Sequence, residues 1–235
     1  MKNKPFASLL GSLMYAQVCT RSDLSFDVSV LGRFQSNPGT THWVVAKKVI
    51  RYLKRIRDFM LVYSHMENLE IVPYCDVDLV GCIDDRKSTS GYIFMLANEA
   101  MSWKSNKQSS IATSTMEAEF IACYTATKQA IGMRNLIKCL RVVDLIHRPL
   151  ILFCDNKADV FFSRNNKGSL ACRLMDMKYL KVRDEIRKMT VDIEHIGTNY
   201  MLVDPMTKAL LVGVFKKLVY NMRVHETFES ANEWE

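Results

Sequence analysis

At 235 residues, with 49% apolar and 24% charged side chains, the sequence has a globular composition, long enough for one large domain or one domain with a smaller helical companion. That balance excludes a disordered chain, and no run approaches the ~18 uninterrupted apolar residues of a membrane span. The formal charge of +7 points to a polyanionic partner.

The first residues, MKNKPFASLLGSLMYAQVCT, join a basic start to a mostly apolar middle, as a secretory signal does. Ser8, Ser12, Tyr15 and Gln17 interrupt the apolar run, and no clear small-x-small cleavage site follows. The segment therefore reads as an amphipathic helix with Phe6, Leu9, Leu10, Leu13 and Met14 on one stripe. The cysteines (Cys19, Cys75, Cys82, Cys123, Cys139, Cys154 and Cys172) are odd in number and form no C-x-x-C pair. Several lie in apolar runs, where a reduced thiol behaves as a small hydrophobe. A reducing compartment is expected: the cytoplasm, with the nucleus as the second candidate.

Ser22 is placed to cap a helix through Leu24, Val28, Val30, Leu31 and Phe34, which Asn37-Pro38-Gly39 ends. A further helix from about Thr41 has Trp43, Val44, Val49, Ile50 and Leu53 for its buried side. Its Lys47, Arg51, Lys54 and Arg55 recur at helical spacing as a basic stripe, either a solvated face or a contact for phosphates. From Leu69 the pattern becomes strand-like. The run Ile71-Val72-Pro73-Tyr74-Cys75 leads into Asp76, a carboxylate expected at the exposed end of a buried strand. Asp78 shares its face, because strand side chains alternate. A polar turn, Asp84-Asp85-Arg86-Lys87, precedes two more apolar runs separated by a turn at Asn98-Glu99, giving three antiparallel strands.

Ser114 then caps a long helix, TMEAEFIACYTATKQAIGMRNLIKCL, with Glu117 three residues on as in a capping box. Glu119 lies about 200° around the helix from Glu117 and shares its face with Ala122, Cys123 and Ala126, small residues that allow close packing on a sheet. The run PLILFC is a buried strand ending at Asp155-Asn156. A short helix, a Gly/Ser-containing loop, a basic helix and a last strand follow, the strand carrying His195 as a hydrogen-bonded structural histidine. Asp204 beside Pro205 suits the first turn of a helix, and a C-terminal helix with a polar tail completes the chain. This order predicts an α/β fold, a mixed sheet flanked by helices behind a small helical segment. The expected divisions are 1–65, 66–211 and 212–235.

Asp76, Asp155, Glu119 and Asp204 thus stand at points where a sheet and its helices present ligands. Four converging carboxylates repel one another unless they hold cations, and such a hard-oxygen set suits Mg²⁺ better than Zn²⁺.

The segments YCDVDLVGCIDDRKSTSGY, SWKSNKQSSIATSTMEAEFIA, LFCDNKADV and VDPMTKAL resemble the ribonuclease H domain of copia-type (Ty1/copia) LTR retrotransposon Pol polyproteins of plants. The upstream SLLGSLMYAQVCTRSDLSFDVSVLGRFQSNPGTTHWVVAKKVIRYLK resembles the end of their reverse transcriptase, its thumb or connection. The resemblance implies a ribonuclease H-like, five-stranded mixed sheet. It also implies that Asp76, Glu119, Asp155 and Asp204 match the family's metal-binding acids, holding two Mg²⁺ ions (Mn²⁺ as a substitute) about 4 Å apart. Asp76 would bridge both ions, Glu119 and Asp155 would hold one, and Asp204 the other. The implied reaction is endonucleolytic cleavage of RNA in RNA–DNA hybrids during reverse transcription, the hybrid being read through 2′-hydroxyls, groove shape and phosphates.

Arg86, Lys87, Lys104 and Lys107 are candidate phosphate contacts, with solvated loop charge as the alternative. Asp78 is a candidate for an outer role at the site, and Asn156 and Ser90 for orienting carboxylates. The rest of the polyprotein, polymerase palm and integrase, is the expected partner besides the hybrid; a membrane is not. Two departures stand out: Leu79 where the family has tryptophan, and Arg173-Leu174-Met175-Asp176 where it has a histidine-containing K-H-I-D. The acids survive both, but Leu174 bears on product release or helix packing. Neither YCDVD nor CIDD matches the Y-x-D-D polymerase box, so no polymerase site is expected and the chain reads as the tail of a polyprotein. The alternative reading is a catalytically decayed, nucleic-acid-binding remnant. A secreted interaction protein rests on the leader-like start alone.

Overall fold

The structure, a computed structural model, describes residues 4–65, 69–82, 85–140, 148–156 and 173–226. The expected short helix and Gly/Ser loop after Asp155, and the polar tail, lie outside the described residues, as do the side chains of 173–176 with the Leu174 departure.

Three helices form the first part: α1 (Phe6–Cys19), α2 (Ser25–Gly32) and α3 (Thr40–Arg55). Phe6, Leu10 and Leu13 recur every three or four residues, so they project from one side of α1. They pack against Leu24, Val28 and Leu31, and against Ala46 and Val49 of α3. Met14, expected on the same stripe, is 42% exposed, because one further residue turns the side chain about 100° away from Leu13. The same geometry corrects the reading of α3. Its buried face is Ala46 and Val49 flanked by Trp43, Tyr52 and Leu53, whereas Val44 and Ile50 point to solvent. Lys47, Arg51, Lys54 and Arg55 are exposed on the far side from Val49. Ser22 does not cap α2. It lies in a 3-10 turn (Ser22–Leu24), its carbonyl accepts the Ser25 hydroxyl at 2.7 Å, and its own hydroxyl faces Met222 Sδ at 3.5 Å.

After a short strand β1 (Met60–Leu61), β2 (Ile71–Cys82), β3 (Lys87–Leu96) and β4 (Glu99–Lys107) form an antiparallel meander. The β3–β4 turn sits at Ala97 and Asn98, both with positive φ (52° and 65°), as a two-residue hairpin turn requires. Glu99, expected in that turn, is instead a buried strand residue that accepts the Ser64 N–H. The long helix α4 (Thr115–Leu140) then leads to β5 (Leu150–Cys154), parallel to β2, and α5 (Arg173–Arg187) to β6 (Val191–His195), parallel to β5. The strand order is β4-β3-β2-β5-β6, so the expected five-stranded mixed sheet flanked by helices is formed.

Alternation sends the two faces of this sheet to two cores. Phe94, Cys75, Leu152, Cys154 and Ile193 pack against Phe120, Cys123, Ala126 and Ala130 of α4 and Val182 of α5. The small residues on α4 let the helix lie close to the strands. Ile93 and Met95 face the other way, against Met201, Val203, Met206, and the C-terminal helix α6 (Val212–Asn221) with β7 (Val224–His225). Strand β7 pairs with β1, so the residues just after α6 are tied to the segment between the helices and the sheet. Two polar contacts fix the helices to the meander: Trp103 Nε1 donates to the Gln17 carbonyl at 2.9 Å, and Arg33 Nη2 to Thr89 Oγ1 at 3.0 Å.

A buried α1 has a measurable consequence. Leu10 is fully buried, and Leu10→Ala is expected to cost about 2–5 kcal/mol of unfolding free energy. Removing residues 1–20 should cost more. Equilibrium urea denaturation of the full chain and the two variants checks this; coincident midpoints would show that α1 contributes nothing to the fold.

Candidate metal centre

Asp76 is not at the end of its strand. Strand β2 continues to Cys82, with Asp76 opposite Gly91, Val77 opposite Ser90 and Asp78 opposite Thr89. The carboxylate is therefore buried, at 2% exposure. What opens space beside it is the neighbouring strand. Tyr74 is in register with Phe153, and the two rings lie 5.6 Å apart. Two residues further along each parallel strand come Asp76 and Asp155, on the same face by the period of two. Strand β5 stops at Cys154, so Asp155 stands at its open end beside the mid-strand Asp76.

Glu119 enters this opening from α4. Its neighbours Ala118 and Ala122 are buried against Val77, which holds the first turns of the helix close to β2. One carboxylate oxygen from each of Asp76, Glu119 and Asp155 lies within 4.8 Å of the others. Glu117 points elsewhere, as expected for a cap. Ser114 Oγ accepts its N–H at 3.1 Å, while its own Oε2 accepts the Thr113 N–H at 2.7 Å and the Thr113 hydroxyl at 2.6 Å. The capping carboxylate thus reaches one residue further back than a standard box. Gln108 braces the same region: Nε2 donates to the Ala118 carbonyl at 2.8 Å and to Ser90 Oγ at 2.7 Å.

Asp204 opens a 3-10 turn (Asp204–Met206) with Pro205 as its second residue, near enough to Asp76 and Asp155 for the three charges to act on one another. This turn lies against β3 because residue 91 is glycine. A Cβ there would fall 2.7 Å from Thr207 Cγ2 and 3.1 Å from Met206 Cβ. The turn delivers two residues that sequence reasoning passed over. The Thr207 hydroxyl donates to Asp76 Oδ2, and Lys208 Nζ lies 3.0 Å from Asp204 Oδ1 and 3.5 Å from Asp76 Oδ2. Both residues are in VDPMTKAL, and a lysine four places after an acid on a turn was the available signal.

Burial pushes the Asp76 carboxyl up to about 6; Lys208 and the Thr207 hydroxyl pull it down, and Asp204 and Asp155 push it up further. Burial likewise raises Asp204, against Lys208, with Asp155 adding to the rise. Burial works against the charge of Lys208, but Asp76, Asp204 and Asp155 together outweigh it and hold the ammonium above its ordinary value. This is an electron-rich pocket of hard oxygens with too little positive charge around it. Such a donor set fits a divalent cation of the Mg²⁺, Mn²⁺ or Ca²⁺ kind.

The remaining candidates are dispersed. Asp78 is half-buried on the same face as Asp76, and Ser90 is occupied by Gln108. His195 is exposed at the end of β6. Lys107 pairs with Asp85, and Lys87 Nζ donates to the Ser109 carbonyl at 2.8 Å, so both are engaged within the protein. Lys104 is exposed on β4, and so is Arg86, in a turn where its φ is 55°.

Because Asp76 and Asp204 titrate higher in the fold than their ordinary value of 3.8, the folded chain binds more protons than the unfolded one as pH rises from there toward about 6. Their contribution to stability is present below that window and lost across it. Asp76→Asn removes most of this loss and is expected to stabilise the cation-free protein at pH 7 by roughly 1–3 kcal/mol. Denaturation in EDTA at pH 4 and pH 7 checks it; an Asn variant no more stable than wild type at pH 7 would contradict the burial argument.

No protein-family profile matches the chain. The retrovirus-related Pol polyprotein of transposon TNT 1-94 from Nicotiana tabacum is 33% identical over 89% of this chain, and the chain spans only 16% of that polyprotein. Secreted RxLR effector protein 161 of Plasmopara viticola is 41% identical over 57% of this chain and 94% of its own length. Among solved structures, the RNase H1 of Halobacterium salinarum has a TM-score of 0.41 at 14% identity, covering 59% of this chain and 94% of that one. The pol-polyprotein relationship recurs for transposons of Arabidopsis thaliana and, over 92% of this chain, for Ty1 of Saccharomyces cerevisiae. The chain belongs to the retrovirus-related Pol polyproteins of copia-type transposons.

Proposed function

We propose that this chain is the ribonuclease H part of a retrotransposon Pol polyprotein, hydrolysing the RNA strand of RNA–DNA hybrids with the help of a divalent cation. The observation that carries the reading is the meeting of Asp76, Glu119 and Asp155 from β2, α4 and β5 within 4.8 Å. These three carboxylates would hold the cation, which when bound supplies positive charge to the scissile phosphate and lowers the pKa of an attacking water. Thr207 orients Asp76 by donating to Oδ2. Gln108 fixes the helical turn that carries Glu119 relative to β3. The acids are therefore set by backbone register and by partners before any substrate arrives, which is what electrostatic stabilisation of a transition state requires. Asp204 completes the acidic surround on the side of Lys208.

The substrate is a polyanion, and the exposed Lys47, Arg51, Lys54 and Arg55 of α3, with Arg86 and Lys104 on the meander, are the cations available to its phosphates. Engagement of Lys87 and Lys107 inside the protein makes them weaker candidates. The hybrid would be recognised by shape and 2′-hydroxyls, not by base sequence. The remainder of the polyprotein is the natural partner of the chain.

A second reading, a secreted interaction protein, is favoured by the similarity to the Plasmopara viticola effector. Against it stands the packing of Phe6, Leu10 and Leu13 in the helical core, which a cleaved leader does not need. Expression through the secretory pathway followed by N-terminal sequencing separates the two: the first reading predicts that the segment is retained, the second a protein cleaved near Cys19.

Asp76→Asn is expected to reduce cleavage of a labelled hybrid by at least ~10³ with the fold intact, since a carboxylate aimed at the cation is worth several kcal/mol in the transition state. Glu117→Gln is the matched control and should cost about 1 kcal/mol of stability with little change in turnover. Near wild-type cleavage by Asp76→Asn would remove the assignment. Hybrid binding should also weaken steeply with salt, through release of counterions from neutralised phosphates. Replacing Lys47, Arg51, Lys54 and Arg55 together by glutamine should flatten that dependence by up to ~4 units of log-log slope; an unchanged slope would mark the stripe as a solvated face.

A further inference from the structure

We propose that Lys208 supplies the second positive charge of this centre, so that the four acids hold one divalent cation, on Asp76, Glu119 and Asp155, with the ammonium in place between Asp76 and Asp204. The proposal rests on the reading of these acids as a cation site. Its ground is the different company kept by Asp204 and the other three acids. One oxygen from each of Asp76, Glu119 and Asp155 converges within 4.8 Å, from three separate elements. Asp204 is outside that trio and is met by a lysine of its own chain turn, with Nζ at 3.0 Å from Asp204 Oδ1 and 3.5 Å from Asp76 Oδ2.

The lysine has little freedom to leave. Its backbone N–H donates to the Asp204 carbonyl at 3.2 Å, and that of Thr207 to the same carbonyl at 3.1 Å. Thr207 is fully buried, is bonded to Asp76 Oδ2, and packs where a Cβ on Gly91 would collide with it. The root of the Lys208 side chain is thereby anchored beside Asp76, and its tip reaches two carboxylates at once. A divalent ion bridging Asp76 and Asp204 would have to enter where Nζ already lies, against the repulsion of a like charge. It would also compete for Asp76 Oδ2, which already accepts from Thr207 and lies near Lys208. An ammonium is a compact point charge, and here it pairs with two carboxylates. A tethered cation also cannot dissociate, so this half of the centre stays charged at any metal concentration.

The test is the number of Mn²⁺ ions bound per full-length chain, by electron paramagnetic resonance of free Mn²⁺ and by calorimetry, at neutral pH without substrate. Wild type is expected to bind one Mn²⁺. Lys208→Met, which keeps the length and removes the charge, is expected to bind two, and Lys208→Arg to return to one. Two ions in wild type would overturn the proposal without any variant. One ion in Lys208→Met with the wild-type affinity would also overturn it. Asp155→Asn separates this from the underlying reading: it should lose at least tenfold in affinity for the single ion. If Asp155→Asn binds Mn²⁺ as wild type does, or if wild type binds none, the cation site itself is refuted, and the proposal with it.

Discussion

A carboxylate has been placed in the middle of a hydrogen-bonded strand, almost out of reach of solvent, and the surrounding structure manages that placement. Burying an ionised Asp76 is costly unless charge and hydrogen bonds compensate it. The compensation is local and comes from one turn: Thr207 and Lys208 approach from the 204–208 segment. Asp204 and Asp155 add to the cost, and the end of β5 leaves room for Asp155 and Glu119 to draw near. The burden is only partly lifted, since the carboxyl is still held well above its ordinary value. A cation is the natural remainder of that sum.

Features far apart in the chain serve this one point. Glycine at 91 lets the turn approach the sheet, and alanines at 118 and 122 let α4 approach it from the other face. Gln108 ties the helix to β3, so the position of Glu119 follows the meander and not the helix alone. The C-terminal helix α6 and strand β7 close the second core under Met206, and β7 pairs with β1. The helical segment is fixed to the meander through Arg33 and Thr89, beside Asp78.

Much of this was legible in the sequence. Alternation gave three strands and their two faces, a cap gave the start of α4, and the acids stood out by type and place. What stayed hidden depends on distance in three dimensions. A period of two marks a strand but does not say where its neighbour ends, so Asp76 was expected at a strand end when it is β5 that stops. The bond from Thr207 to Asp76 joins residues 131 apart, beyond the reach of any local pattern. Helices with apolar residues on several sides, such as α1 and α3, leave open which sector is buried until their partner is known. Met14, Val44 and Ile50 were misplaced for that reason. The hairpin turn moved by one residue because Asn98 tolerates positive φ readily while Ala97, which shares the turn, gives no such signal.

The most direct test of the account is anomalous X-ray scattering from crystals of the full chain soaked in Mn²⁺. A difference peak bonded to Asp76, Glu119 and Asp155, at the ~2.0–2.2 Å expected for a small divalent ion on oxygen, is the predicted result. Crystals that diffract well but show no Mn²⁺ within reach of these three carboxylates would contradict it.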